Sequence, residues 1–412
     1  MSKTFAELPL RPETIEALHA HGFIAPFAIQ EMVLPIALSD GDVIGQAKTG
    51  TGKTLAFGVP VIERVIAPND AEWANFEHKG MPQVLIVVPT RELCTQVTKD
   101  IEELASNRGI RTLAVYGGRA FEPQIEALQA GIEIVVGTPG RLLDLSRQGQ
   151  LRLKQVSRLV LDEADEMLDL GFLPDVEKIL ANTPNRMQTM LFSATMPEQI
   201  KRVASKHLTN PVNISIAASH TTVESIEQCY VQVSQHNKLE ALVRVLEVEN
   251  TEGIIIFVRT RNSCVELAEK LEARGYASSP LHGDMNQQAR ERAVEQLKSG
   301  KLDILIATDV AARGIDVTDL THVINYSLPQ NAEAYTHRIG RTGRAGKSGT
   351  AITFITPSEF RKLGFIKKAT KADIRKETIP KVSDILKLQQ KQITDTVIGL
   401  TDEGNIDKFR DW

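Results

Sequence analysis

A glycine-rich octapeptide near the start of the chain has the spacing of a loop that holds phosphate groups. Residues 47–54 read AKTGTGKT and follow an apolar run. Gly50 and Gly52 let the backbone curl so that its N–H groups point at phosphate oxygens, and the following helix adds its positive end. Lys53 can then reach the β- and γ-phosphates of a nucleotide, and Thr54 can bind Mg²⁺. The motif's first position is alanine instead of glycine, so a plain strand-to-helix turn is the alternative interpretation.

A second segment places acids at the end of an apolar strand. Residues 158–165 read RLVLDEAD. At the carboxyl end of a parallel strand, Asp162 can hold Mg²⁺ through water, and Glu163 can orient and deprotonate an attacking water. The alternative is a solvated acidic turn that opens a helix, where acids are favoured. A P-loop about 110 residues earlier favours the catalytic interpretation.

A third segment concentrates positive charge late in the chain. Residues 337–344 read HRIGRTGR, and the glycines between the arginines suit close approach to a charged ligand. Arg341 and Arg344 are candidates for arginine fingers that stabilise the charge on a transferring phosphoryl group. The alternatives are a basic surface loop and an RNA phosphate site. If these arginines complete the site, hydrolysis requires closure of two domains.

These segments need a scaffold, and short apolar runs alternate with helical stretches along the whole chain. Runs such as VLIVV, IIIFV and ILIA are typical of parallel strands covered on both faces. Alternating strands and helices predict an α/β fold with doubly wound sheets. Strands are predicted at residues 42–46, 84–88, 112–116, 133–136, 158–162, 189–193, 229–233, 254–258, 303–307, 322–325 and 350–355.

The length of 412 residues suits two or three domains at about 150 residues each. The strand–helix rhythm breaks around residues 208–225, where small polar residues indicate a hinge. The predicted division is a first domain at 1–209, a hinge at 210–225, a second domain at 226–370 and a helical extension at 371–412.

Composition limits the classes of partner. The net charge of −4 gives no support for broad electrostatic capture of nucleic acid, so such contacts must be local. Cys94, Cys229 and Cys264 are scattered, which indicates reduced thiols and neither a disulfide framework nor a zinc site. No apolar run of about 18 residues and no signal-peptide pattern occur, so we expect a cytoplasmic protein without a membrane partner.

Taken in order, the motifs resemble those of the DEAD-box ATP-dependent RNA helicases of superfamily 2, over about residues 1–370. They are Phe5 with GFIAPFAIQ (22–30), AKTGTGKT (47–54), PTREL (89–93), Gly117-Gly118, TPGR (138–141), DEAD (162–165), SAT (193–195), IIIFVRTR (254–261), HGDMNQQAR (282–290), ATDVAARGID (307–316) and HRIGRTGR (337–344). The resemblance implies two tandem RecA-like P-loop domains, each a mostly parallel sheet flanked by helices, with a short helical C-terminal extension. It implies an RNA-stimulated ATPase that uses ATP and Mg²⁺.

The resemblance also implies a nucleotide site. The family's Q motif falls at residues 3–31, in which the Gln30 amide reads the adenine edge, Phe23 stacks near the adenine and Phe5 supports that pocket. Asp316 lies where the family contacts the ribose. The phosphates are cradled by Thr49, Gly50, Thr51, Gly52, Lys53 and Thr54.

By the same resemblance, a coupling network links hydrolysis to strand separation, and RNA runs across both domains. The coupling residues are Ser193, Thr195, Asp165 and His337. The RNA-binding positions are mostly small residues, hydroxyls and single arginines, which suit gripping of phosphates and 2′-hydroxyls without sequence preference. They are Pro89, Thr90, Arg91, Gly118, Thr138, Gly140 and Arg141 in the first domain, and Arg259, Gly283, Gln287, Arg290, Thr308 and Arg313 in the second.

Two positions depart from the family pattern. Between Pro26 and Ile29 the chain has Phe27-Ala28 where Thr-Pro or a similar pair is usual. We expect Phe27 to alter packing beside the adenine pocket and not the choice of nucleotide. Cys94 stands where a small residue is common, and we expect it in the core.

The last segment lies outside the motif series. Ile379, Leu386, Ile393 and Leu400 fall at seven-residue intervals. This row predicts an amphipathic helix that lies on the second domain. The alternative is a protein-partner or self-association surface across residues 379–400.

Two functions of different classes use the same residues. The first is an enzyme that unwinds short RNA duplexes or remodels RNA–protein complexes. The second is an ATP-gated RNA clamp with little intrinsic unwinding, in which hydrolysis only resets the grip. A DNA-directed helicase is a lesser alternative.

Overall fold

Two compact units, each built on one sheet, make up the chain. The computed structural model describes residues 4–47, 50–216, 226–249, 253–312, 317, 320–343, 348–383, 385–387, 390–391 and 394. The first unit holds the described residues up to 216, and the second holds those from 226 onward.

The first unit alternates strands with helices. Its strands are β1 (Val43–Gln46), β2 (Val84–Val87), β3 (Thr112–Val115), β4 (Ile134–Gly137), β5 (Arg158–Leu161), β6 (Gln188–Ser193) and β7 (Val212–Ser215). Its helices are α1 (Pro12–Ala20), α2 (Ala28–Ala37), α3 (Lys53–Arg64), α4 (Arg91–Ala105), α5 (Glu122–Ala130), α6 (Pro139–Arg147), α7 (Ala164–Asp169), α8 (Leu173–Ala181) and α9 (Glu198–His207).

All seven strands of this sheet are parallel, in the order β3-β4-β2-β5-β6-β1-β7. The central strands are buried along their length because one apolar cluster covers each face. Phe57 and Phe192 lie in one cluster, with ring centroids 5.4 Å apart, and Leu85 and Leu191 lie in the other. Parallel strands present their carboxyl ends at one shared edge, where the motif loops begin.

The second unit repeats this plan. Its strands are β8 (Ile226–Gln232), β9 (Ile254–Val258), β10 (Ser278–Leu281), β11 (Ile304–Thr308), β12 (His322–Asn325), β13 (Gly349–Ile355) and β14 (Arg375–Glu377). Its helices are α10 (Lys238–Val248), α11 (Arg261–Glu272), α12 (Gln287–Lys298), α13 (Asp309–Ala312), α14 (Ala332–Ile339) and α15 (Phe360–Thr370). The order β10-β11-β9-β12-β13-β8-β14 is again wholly parallel.

The sequence-based expectation of two tandem RecA-like domains is confirmed by these two sheets. Each strand predicted from an apolar run is present, with ends within a few residues of the expectation. The boundaries of the predicted domains stay a prediction, and most of the expected hinge lies outside the described residues.

The extension after residue 370 begins with a short strand. Arg375–Glu377 forms the edge strand β14 and pairs with β8, so the expected helical extension does not hold for these residues, whereas residues 382–383, 385–387, 390–391 and 394 are helical. Further on, Ile379 packs against the core of the second unit and Ile385 is buried, whereas Leu386 is 53% exposed. Ile393 and Leu400 lie outside the described residues.

Two smaller expectations can be compared with the structure. Cys94 is fully buried and its Sγ donates to the Val136 carbonyl oxygen, so its expected place in the core is confirmed. In the part of the chain that the structure describes, no helix is long and apolar enough to cross a bilayer.

Candidate active site

The phosphate loop begins where β1 ends, between β6 and the edge strand β7. The Ala47 N–H donates to the Ser193 carbonyl oxygen at 3.0 Å, which continues the pairing with β6 beyond the strand. Gly52 has a φ of +87°, a left-handed conformation that glycine adopts without strain, and it caps α3. The first residue of α3 is Lys53, so the helix N-terminus and the lysine lie at the same end of the sheet.

Lys53 makes a buried ion pair with the two acids that follow β5. Its Nζ lies 2.9 Å from Glu163 Oε1 and 3.7 Å from Asp162 Oδ1, and the three side chains are at most 6% exposed. Burial alone would lower the pKa of Lys53, but the two carboxylates outweigh it and raise the pKa. Burial and the neighbouring Glu163 raise the pKa of Asp162 to about 6, against the opposing effect of Lys53.

This donor set fits a divalent cation. Two buried carboxylates share one lysine, which leaves excess negative charge in a region of low dielectric. Thr54 is half-buried one residue beyond Lys53 and offers a hydroxyl oxygen. Oxygen ligands of this kind are those that Mg²⁺ prefers. Asp162 and Thr54 are therefore the residues that would hold the metal.

Glu163 is held in an unusual backbone conformation. Its φ of +55° is left-handed, which costs a non-glycine residue about 1–3 kcal/mol. The Glu163 N–H donates to Asp162 Oδ1 at 2.9 Å, which fixes both acids at the start of α7. Strain of this kind persists where the surroundings impose it, as at catalytic positions.

A hydrogen-bond network joins the start of α7 to the end of β6 and the loop after it, and its members are the coupling residues predicted in the first unit. Asp165 Oδ2 accepts from the Thr195 backbone N–H at 2.8 Å and from its hydroxyl at 3.0 Å. The Ser193 hydroxyl accepts from the Asp165 N–H at 3.1 Å and donates to the Thr195 carbonyl oxygen at 2.7 Å. His337 belongs to the second unit and is half-buried on α14.

Gln30 contacts the phosphate loop directly. Its Nε2 donates to the Gly52 carbonyl oxygen at 2.9 Å, and its Oε1 accepts from the Phe27 N–H at 2.8 Å. Phe5 is fully buried in the core, and Phe23 packs against the same cluster. The Q-motif residues and the P-loop, which are separated along the chain, are thus brought together.

The remaining candidates of the first unit also follow the carboxyl ends of strands, but of the other strands in the same sheet. Pro89, Thr90 and Arg91 follow β2, Gly118 follows β3, and Thr138, Gly140 and Arg141 follow β4. The sheet order places β3, β4 and β2 side by side and β5, β6 and β1 beyond them. The edge is therefore divided into a P-loop and acid half and a half of hydroxyls, glycines and arginines.

The arginines of this second half lie close to the glycine pair. The guanidinium of Arg91 occupies the space that a Cβ at Gly118 would need, so this glycine permits a close approach. Arg141 is 8% exposed, stacks 3.8 Å above the Phe121 ring and donates to the Arg119 carbonyl oxygen. Its Nη1 is buried without a hydrogen-bond partner among the described residues, which leaves a donor for an anionic ligand.

The second unit arranges its candidates in the same way. Arg259 follows β9, Gly283 follows β10 and Thr308 ends β11, and these three strands are neighbours in the sheet. Gln287 and Arg290 lie on α12, where Arg290 donates to the Ala311 carbonyl oxygen at 3.1 Å. These positions form one group within the second unit.

One buried arginine was missed by the sequence reasoning. Arg338 is 3% exposed and makes two bonds to Asp309, from Nε to Oδ1 at 2.6 Å and from Nη2 to Oδ2 at 2.8 Å. Its Nη1 donates to Asn325 Oδ1 and to the Ser327 carbonyl oxygen. Arg338 belongs to the HRIGRTGR motif and Asp309 to the ATDVAARGID motif. The sequence signal that could have found the pair was one opposite charge in each of these two motifs.

Arg341 follows α14 and is half-buried, and its N–H donates to the Arg338 carbonyl oxygen. The other predicted site residues Thr49, Arg313, Asp316 and Arg344 lie outside the described residues.

Comparison with known proteins agrees with this arrangement. Residues 27–203 match the DEAD/DEAH box helicase family model, and residues 237–346 match the helicase conserved C-terminal domain. The chain is 42% identical over 407 residues to the DEAD-box ATP-dependent RNA helicase CshA of Geobacillus kaustophilus, which covers 99% of this chain and 85% of that protein. It is also 42% identical over 408 residues to the ATP-dependent RNA helicase DeaD of Mycobacterium tuberculosis, covering 99% and 70% of the two chains.

Among solved structures, the S. cerevisiae Dbp5 bound to RNA and ADP BeF3 matches with a TM-score of 0.82 and 31% identity, over 95% of this chain and 99% of that one. The motif series, the paired parallel sheets and these full-length similarities agree. The chain belongs to the family of DEAD-box ATP-dependent RNA helicases.

Proposed function

We propose that this chain hydrolyses ATP to ADP and phosphate when RNA is bound, and uses closure of its two units to unwind short RNA duplexes or remodel RNA–protein complexes. The observation that carries the proposal is the divided carboxyl edge of the first sheet. One half holds Lys53, Asp162 and Glu163, and the other holds the hydroxyls and arginines after β2, β3 and β4.

Each residue of the nucleotide half has a distinct task in this proposal. Lys53 leaves its ion pair with the acids and binds the β- and γ-phosphates, next to the N–H groups at the start of α3. Release from Lys53 frees Glu163 to accept a proton from the attacking water. Asp162 and Thr54 would hold Mg²⁺, which would supply neutralisation of phosphate charge.

The Asp165 network supports coupling between hydrolysis and strand separation. Asp165 lies two positions after Glu163. Its carboxylate accepts from both the backbone N–H and the hydroxyl of Thr195. A shift of the acids on ATP binding therefore moves the loop after β6. Such coupling requires a contact that can switch between two arrangements. In this proposal the cluster of polar bonds around Asp165 is that contact.

The RNA half suits a ligand recognised by its backbone. Its groups are hydroxyls, the exposed Gly118, the half-buried Gly140 and the spare donor of Arg141. Such groups bind phosphates and 2′-hydroxyls and read no base edge. We infer that RNA is bound without sequence preference, across the equivalent strand ends of both units. The acidic net charge is compatible with this because the contacts are local.

Arginines of the second unit complete the site in this proposal. Arg341, with Arg344, supplies positive charge to the transferring phosphoryl group when the units close. Asp316 is assigned to the ribose by the family resemblance. The described cysteines are free and buried, which supports a reducing compartment such as the cytoplasm.

The test is strand displacement by the purified full chain. A short RNA duplex with a labelled strand is mixed with excess chain and ATP, and release of the label is followed over time. We expect release with ATP and none with ADP, and stronger stimulation of ATP hydrolysis by RNA than by DNA of the same sequence. ATP-dependent RNA retention without release would favour the clamp, and equal stimulation by DNA would contradict the RNA preference.

A further inference from the structure

Phe27 is the position at which this chain departs from the family in its nucleotide-binding segment, and its ring is 58% exposed. Exposure alone does not distinguish it, since Phe360 and Phe365 are exposed to a similar degree. Its position does, because Phe27 is the N-cap of α2 and lies against the phosphate loop.

The contact with the phosphate loop is specific. The Phe27 Cδ2 lies 2.8 Å from the point that a Cβ at Gly52 would occupy, so the ring rests on the glycine backbone. The Phe27 N–H donates to Gln30 Oε1, and Gln30 Nε2 donates to the Gly52 carbonyl oxygen. These bonds fix the backbone of Phe27 relative to Gln30 and to the loop.

The ring thus rests on the same glycine that holds the Gln30 amide. Gln30 is 1% exposed, its amide oxygen accepts from the Phe27 N–H, and its amide nitrogen donates to the Gly52 carbonyl oxygen. A base edge that hydrogen-bonds with this amide must come within a few ångströms of the Gly52 backbone. It therefore comes into contact with the ring that rests there.

We propose that Phe27 presents its ring to the base of the bound nucleotide and strengthens binding of purine nucleotides in general, while Gln30 sets the preference for adenine. This inference rests on the proposed function. An aromatic face stacks on any base, because every base has a π-face, and so it adds affinity without selectivity. A hydrogen-bonding amide reads the base edge and adds selectivity without much apolar area.

The experiment compares nucleotide affinities of full-length variants by isothermal titration calorimetry with ATP and GTP under non-hydrolysing conditions. F27T restores the residue usual in the family, and F27W keeps an aromatic face. I24T is the matched control, because Ile24 is 65% exposed in the same loop. We expect F27T to weaken ATP and GTP binding by roughly fivefold or more and to leave their ratio unchanged. F27W and I24T should bind as the wild type does.

Folding is separated from contact by thermal unfolding of the same variants. Threonine is a favoured N-cap residue, so F27T should unfold at the wild-type temperature or above it. Equal ATP affinity of F27T and wild type would overturn the inference, as would an equal loss in I24T or a changed ATP-to-GTP ratio in F27T. Failure of the wild type to bind ATP would instead overturn the proposed function.

Discussion

At the scale of single residues, the proposed function assigns turnover to the buried pair of Lys53 and Glu163. Replacing Glu163 by glutamine keeps the shape of the side chain but removes its capacity to accept a proton. We expect E163Q to bind ATP and RNA and to lose at least about 100-fold in the rate of hydrolysis. Phosphate release under saturating RNA measures the loss, and retention of labelled RNA with ATP measures the trapped closed state.

The matched control for this change is E198Q, because Glu198 is an exposed acid of the same unit that pairs with Lys201 on one helix. Its rate should equal that of the wild type. A near-normal rate in E163Q would contradict the assignment of Glu163 as the base.

The raised pKa of Asp162 leads to a pH prediction. Since burial raises this pKa to about 6, the carboxyl binds a proton as the pH falls through 6, and Mg²⁺ must then displace that proton. The apparent affinity for Mg²⁺ should therefore be highest near pH 7.5 and should decrease below pH 6. Titration of Mg²⁺ against nucleotide binding at pH 5.5, 6.5 and 7.5 measures this, and a constant affinity over that range would contradict it.

Sequence reasoning could assign motif residues because their spacing is fixed by strand-to-loop geometry. It could not show that Lys53 is paired with the acids, since that depends on β1 and β5 ending at the same sheet edge. It placed Phe27 beside the adenine pocket but could not show that its ring is exposed and rests on Gly52. Arg338 was missed because a buried arginine and a surface arginine look alike in sequence.

At the scale of elements, apolar runs predicted the buried strands and left others unseen. β10 reads SSPL and β14 reads RKE, and both are edge strands. An edge strand has a neighbour on one side only, so it can carry polar or charged residues in place of a continuous apolar run.

The Arg338–Asp309 pair joins α14 to α13, and its removal should destabilise the second unit. Arg338→Met keeps apolar volume but removes the bonds from Arg338 to the Asp309 carboxylate and to Asn325 Oδ1. Asp309 is 34% exposed, so water relieves part of the cost and we expect a loss of about 2–3 kcal/mol in the free energy of unfolding. Urea unfolding followed by circular dichroism measures the change.

The control is R375M in the same unit, where Arg375 pairs with Glu227 and both side chains are more than half exposed. A surface pair of this kind contributes about 0–1 kcal/mol, so R375M should unfold near the wild-type urea concentration. Equal losses in the two variants would show that the buried pair has no special stabilising role.

At the scale of the whole molecule, the two units repeat one sheet order, but the P-loop and the paired acids occur in the first. β3-β4-β2 and β10-β11-β9 hold equivalent places, and the predicted RNA positions follow these strands in both units. A strand of RNA that binds both groups would hold the units in a defined arrangement. RNA and ATP would then favour the same closed state, and each would increase affinity for the other by linkage.

Removal of a finger arginine tests whether closure completes the catalytic site. Arg341→Ala leaves every residue of the first unit unchanged, so ATP should bind to that unit with wild-type affinity. RNA-stimulated hydrolysis should fall by about 1,000-fold, because positive charge is lost where the phosphoryl group carries negative charge. R344A should behave in the same way, and R375M serves as a control for a lost arginine in the second unit.

Two measurements separate chemistry from closure in these variants. Energy transfer between dyes on the two units reports closure upon addition of RNA and a non-hydrolysable ATP analogue, and phosphate release reports turnover. We expect R341A to close but not to turn over, since its RNA-binding positions are intact. Normal RNA-stimulated hydrolysis in both R341A and R344A would exclude these arginines as fingers, and the nucleotide site would then be complete within the first unit.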